Sequence, residues 1–247
     1  MSNLARLCLD RIKYVDRRRS KAKECHVLYL VSAFVDEFTT PLPRVFKTLQ
    51  RSCRVGMETG DIEKAFRSWQ SANYPAFTAG FPLDSIEMSS LQLLQQMAQY
   101  NVCGVYNNVI SLHFTVMHLI GKSDSPLDWA EELKSKYMLD GGTSLVDKKG
   151  IIELSRFFWS GIQLAYYFRE IEIAGSLVKP LRLLKNDLCF VSTSVRIYFS
   201  GLVSAALAKK TGKKAHLRLA RKALREMKDV VKNNGANNLH RYLLMKA

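Results

Sequence analysis

Apolar residues return every three or four positions along most of this chain, the spacing that lines one side of an α-helix. Residues 22–38 are apolar enough to predict a helix buried over most of its circumference. Thr39-Thr40-Pro41-Leu42-Pro43 breaks it, because proline cannot continue a helix and biases its predecessor away from helical geometry. The next helix spans about 44–58, with Val45, Leu49, Cys53 and Met57 on one stripe and Gly60 as its stop. Asp61 is the N-cap candidate for a helix over 62–77 that buries Ile62, Ala65, Phe66, Trp69 and Ala72 or Asn73, with Glu63 favouring the positive end of its dipole. Gly80 and Pro82 separate it from a helix over 86–100. Further helices are expected at 103–120, 128–138, 147–169, 171–185, 189–209 and 213–232, and one opens near Asn237.

About ten helices with short Gly, Pro and Asp joints predict an all-α fold: an irregular tetratricopeptide-like α-solenoid or stacked helical hairpins. No strict repeat consensus is present. The expected organisation is a basic extension over 1–24, a first helical layer over 25–140 and a second over 141–247. The expected hinge is Asp140-Gly141-Gly142-Thr143.

Composition adds a polarity to this picture. The net charge is +15, but residues 26–208 are neutral, while 1–25 carry +5 and 209–247 carry +10. The basicity therefore belongs to two surfaces and not to the whole body. Five widely spaced cysteines without a CxxC argue against structural zinc and a disulfide framework, and fit buried thiols in a reduced cytoplasmic setting. No stretch approaches the ~18 apolar residues of a membrane span. The richest, 102–120, is interrupted by Asn107, Asn108, Ser111, His113 and His118, and reads as a buried helix.

Candidate chemistry is sparse. Gly121-Lys122-Ser123 resembles the end of a Walker A loop, but Val116 stands where that loop needs glycine, and a helix precedes it instead of a strand. Gly212-Lys213-Lys214 fails in the same way. His113 and His118 lie about 140° apart around a helix and cannot chelate as an i, i+4 pair. No HExxH, GxSxG or kinase signature is present, so no catalytic, cofactor-binding or metal-binding residue is expected.

The sharp feature is a row of cations. Lys214, Arg218, Arg221, Arg225, Lys228 and Lys232 recur at spacings of 4, 3, 4, 3 and 4, with Lys222 beside them. Leu217, Ala220, Leu224, Met227 and Val231 form the expected apolar stripe. Three readings are open: a solvated outer face, a dock for an acidic protein, or a surface for nucleic acid, anionic membrane or a calmodulin-type partner. The row has no interleaved aromatics for base stacking. Arg17-Arg18-Arg19 with Lys21 and Lys23 forms a second cluster that fits a helix boundary or a localisation signal.

Val35-Asp36-Glu37-Phe38, Pro41-Leu42 and the run from Leu49 through Gly56-Met57-Glu58-Thr59-Gly60-Asp61 to Ala65 resemble a known segment. It is the tetratricopeptide-like helical region of large signalling ATPases of the STAND/AAA type. In those proteins the segment joins the ATPase to GAF and histidine-kinase or cyclase-type output modules. The resemblance continues in Asn73-Tyr74, Phe77-Thr78-Ala79-Gly80, Gln163-Leu164-Ala165-Tyr166-Tyr167-Phe168, Tyr198-Phe199-Ser200-Gly201-Leu202 and Asn238-Leu239-His240-Arg241-Tyr242-Leu243-Leu244, covering about 25–247. It implies a non-catalytic scaffold or relay arm whose partners are a protein or neighbouring domains, and a chain that is a fragment, a truncated gene product or a stand-alone remnant of such a protein. Phe168-Arg169-Glu170 replaces the pattern's later Gly-Asp start, and no proline precedes Asn238.

Overall fold

A computed structural model of the chain describes residues 17–36, 39–122, 148–183 and 190–247. The expected helix over 128–138 and the hinge at Asp140-Gly141-Gly142-Thr143 lie outside the described residues, as does most of the 1–24 extension. Among the described residues the fold is all-α, with ten helices packed as sequential antiparallel pairs and no strand. They are α1 (Arg17–Val31), α2 (Leu42–Thr59), α3 (Ile62–Thr78), α4 (Leu83–Gln99), α5 (Tyr106–Leu119), α6 (Lys148–Tyr167), α7 (Ile171–Leu183), α8 (Phe190–Thr211), α9 (Lys214–Asn233) and α10 (Gly235–Lys246). A single π-helical turn, Ser32–Asp36, prolongs α1.

One device closes half of these helices. Gly60 lies at φ 77°, its N–H donating to the Met57 carbonyl while the Asp61 N–H reaches the Gly56 carbonyl, which satisfies two of the carbonyls a helix end leaves over. The same pair of bonds recurs at Gly80 and Gly121, and at Asn101 and Arg169, which hold φ 52° and 64°. Arg169 thus adopts a backbone that glycine favours, at the steric cost a Cβ brings there. Asp61 caps α3 by accepting from the Lys64 N–H, and its carboxylate also takes the Lys64 ammonium at 2.6 Å.

The described residues group into two compact units. The first comprises residues up to His113 together with Asn233–Asn237. In it α1 packs on α2 and α3, α2 on α3, and α3 on α4. One core cluster joins Phe66, Leu93, Met97, Val105 and Val109; another joins Val45, Leu49 and Ala72. Where α1, α2 and α3 come closest the side chains are small. A Cβ added to Gly56 would stand 2.9 Å from both the Ala65 Cβ and the Cys25 Sγ. Just beside it Ser52, fully buried, donates to the Cys25 carbonyl at 2.8 Å and shares a hydrogen bond with Ser68 at 2.8 Å.

The expected α2 stripe of Val45, Leu49, Cys53 and Met57 is corrected here. Leu42, Val45, Leu49, Ser52, Val55 and Gly56 are buried, while Cys53 and Met57 are half-buried, because the closest helix contact is made by small residues that a hydrophobicity pattern skips. The all-round burial expected of 22–38 is also corrected: Leu30 and Phe34 are about 40% exposed, since only one side of α1 meets α2 and α3. Pro41 at the N-cap of α2 has no side-chain acceptor. Asn237 supplies one from far along the chain, accepting from the Leu42 N–H at 3.1 Å and donating to the Thr40 carbonyl at 2.9 Å.

The second unit comprises Phe114–Lys232 and Asn238–Ala247. In it α6, α7 and α8 pack mutually around Phe158, Ile162, Ala165, Leu177, Leu181, Val195 and Val203. Gly201 on α8 is the close point. A Cβ there would meet the Met245 Cε of α10 and come within 3.0 Å of the Ala223 Cβ of α9, so both later helices are drawn onto α8 at one residue.

Enlarging Gly56 to leucine forces the α1–α2–α3 crossing apart, and we expect a loss of about 1–3 kcal/mol. Urea denaturation followed by circular dichroism measures it; an unchanged midpoint would contradict the tight crossing.

Candidate docking face on a basic helix

Helix α9 starts two residues after Gly212, which ends α8 at φ 67° with its N–H bonded to the Ala208 carbonyl. The orientation of α9 follows from what it buries. Ala223 is 3% and Met227 0% exposed, and they lie about 40° apart on the helical wheel. Lys214, Arg218, Arg221, Arg225, Lys228 and Lys232 fall within an arc of about 80° on the opposite side, and all six are exposed. The structure therefore brings the predicted cations into one solvent-facing row.

Lys222 stands apart from that row. Its ammonium pairs with Glu226 at 3.8 Å, and both residues line a cleft of about 240 Å³ with Leu181, Arg196, Ile197, Ser200 and Ala223. Lys232 is held by Asp229 at 2.8 Å, a partnership that raises the lysine's pKa and lowers the aspartate's, the hydrogen bond contributing most to each. No carboxylate among the described residues makes an ion pair with Lys214, Arg218, Arg221, Arg225 or Lys228.

The expected apolar stripe is corrected by rotation. Met227 is buried, Ala220, Leu224 and Val231 are half-buried, and Leu217 is 41% exposed, while Ala223, outside the expected stripe, lies at its centre. The cause is the approach of Ala223 to Gly201, which only a small residue permits. The consequence is a line of Leu217, Leu224 and Val231, seven residues apart, left partly open along one edge of the cations.

The remaining candidates sit as follows. Gly121-Lys122 forms the closing turn of α5, and its N–H groups are taken by the His118 and Met117 carbonyls. His118 is buried, with its Nδ1 2.6 Å from the Phe114 carbonyl one turn back. Among the described residues no group of three or more His, Cys, Asp or Glu is placed to hold a metal ion, and no helix is long and apolar enough to cross a membrane. Cys25 is buried and Cys53 half-buried. Both thiols are pushed above the ordinary range by desolvation, that of Cys53 up to about 11, which leaves little reactive thiolate. Of the second basic cluster, Lys23 is exposed, and α1 begins at Arg17. Comparison with known protein families, curated proteins and solved structures finds no match.

Two side chains that are ordinarily charged at neutral pH are buried among the described residues, Asp36 and Arg241, and the sequence reading singled out neither as a site. Asp36 is 4% exposed, and its Oδ1 has no hydrogen-bond partner. Burial raises its pKa above 3.8. The folded state therefore holds the proton more tightly than the unfolded state. Its contribution to stability is full below the unfolded carboxyl pKa and is lost as pH rises through the elevated folded value. Asp36→Asn should raise the melting temperature at pH 7 and flatten that loss in a pH series. A lower melting temperature at pH 7 would show that the ionised carboxylate is well accommodated.

Proposed function

We propose that this chain is a non-catalytic helical interaction segment that docks an acidic, partly apolar protein surface on the outer face of α9. The observation that carries the reading is the row of six exposed cations flanked by the partly open line Leu217, Leu224 and Val231. Like charges at i, i+3 and i, i+4 oppose a helix by about 0.2–0.5 kcal/mol per pair. With Lys232 held by Asp229, four consecutive such pairs from Lys214 to Lys228 make about 0.8–2 kcal/mol of self-repulsion that an acidic partner relieves.

The flank is what favours a protein over a polyanion. Phosphate backbones reward cations alone, and single-stranded nucleic acids also reward stacking aromatics, and α9 has no Phe, Tyr or Trp. Leucine and valine at seven-residue spacing beside the charges suit an amphipathic helix with acidic and apolar sides.

This role accords with the tetratricopeptide-like segment of STAND/AAA-type signalling ATPases that the sequence resembles, as a relay between an upstream NTPase and downstream output modules. On that reading the partner is a neighbouring domain or a separate signalling protein in the cytoplasm. A nucleic-acid or anionic-surface binder is the alternative, and the same helix would serve it.

The test compares three probes at physiological salt by fluorescence anisotropy and vesicle sedimentation. They are a synthetic amphipathic helix bearing Glu and Leu faces, a short DNA duplex, and phosphatidylserine vesicles. Saturable binding of the peptide is expected, with loss of about tenfold or more for Arg218→Glu/Arg221→Glu/Arg225→Glu. Binding of the duplex or vesicles, but not of the peptide, would overturn the proposal.

A further inference from the structure

Arg241 is 7% exposed, yet among the described residues no carboxylate pairs with it. A buried guanidinium is normally neutralised, because desolvating a lone charge is costly and one ionic partner offsets most of that cost. Here its recorded acceptors are neutral: Nη1 donates to the Asn238 Oδ1 at 2.8 Å and to the Ser194 Oγ at 3.4 Å.

Those two bonds hold the group by one corner. They leave the Nε and Nη2 edge, whose two parallel N–H bonds match the two oxygens of a carboxylate. The surroundings are aromatic. Tyr198 and Phe199 on α8 have ring centroids 5.1 Å apart, and Tyr167 at the end of α6 meets Phe199 at 5.5 Å. Burial raises the pKa of both phenols, so they remain neutral and do not serve as counterions near pH 7. Tyr167 is 51% and Phe168 40% exposed, and on α10 Leu244, one turn beyond Arg241, is 59% exposed.

From this we infer that the Nε–Nη2 edge of Arg241 is a receptor for a carboxylate that the described chain does not supply, carried by an acidic side chain of a peptide whose apolar neighbours cover Tyr167, Phe168 and Leu244. Its ligand chemistry differs from that of the α9 row: a single bidentate pair in an aromatic setting, as opposed to a string of solvated charges. It does not depend on the α9 reading.

The test follows the Arg241 Nε–Hε resonance of the full chain by NMR. Sodium acetate is titrated against sodium chloride at matched ionic strength, and sodium phosphate forms a further arm. A saturable shift with acetate and none with chloride is expected. Arg241→Met should abolish the acetate-induced shifts of the Tyr167 and Tyr198 ring protons, and Arg218→Glu/Arg221→Glu/Arg225→Glu should retain them, which separates this site from α9. A peptide carrying one Glu among leucines should bind about tenfold more weakly to Arg241→Met than to wild type. Should the methionine variant not fold, the wild-type titration alone decides. A linear, chloride-like drift, or saturation by phosphate without saturation by acetate, overturns the inference.

Discussion

The first unit depends on how closely three helices approach at Gly56. With glycine there, α2 sits against Ala65 of α3 and Cys25 of α1 with no room for a methyl group. Such proximity strengthens dispersion along the whole contact, because attraction between packed atoms fades within an ångström of added separation. It also creates an obligation. Polar groups beside the crossing are shut off from water, and Ser52 and Ser68 meet it by bonding to each other and to the backbone carbonyls of Cys25 and Lys64. The second unit repeats the device at Gly201, where Ala223 and Met245 share the space a side chain would fill.

That second crossing links packing to the proposed function. Because Ala223 lies against Gly201, α9 is fixed in rotation, and the cations on its far side are fixed facing solvent. The rotation also leaves Leu217, Leu224 and Val231 at the edge instead of the centre of the buried side. A helix with a larger residue at 223 would turn or lift, and the cationic row would lose its defined direction. The face is thus set by two small residues that carry no charge themselves.

Much of the fold was legible in the sequence. Gly60, Gly80, Gly121 and Gly212 mark helix ends because only a left-handed residue lets the closing bonds form, and Asp61 marks a start because its carboxylate can accept from α3. Arg169 and Asn101 were not legible, since neither residue type demands the left-handed backbone it adopts. The rotational setting of α9 was legible to within about 60°, an error due to reading leucine as buried and alanine as neutral, where proximity to Gly201 inverts that preference. The capping of α2 by Asn237 and the burial of Arg241 could not be read locally. Each depends on residues many positions away, Leu42 and Ser194, brought near only by the completed fold.

The proposed function has α9 offering its lysines and arginines as one docking face. Amine acetylation of the native chain, quantified by mass spectrometry with and without the acidic amphipathic peptide, tests it most directly. The account predicts that the peptide protects Lys214, Lys228 and Lys232, while exposed Lys47 on α2 and Lys209 on α8 label unchanged. Uniform protection of all five lysines, or protection of Lys47 in place of the α9 set, would contradict it.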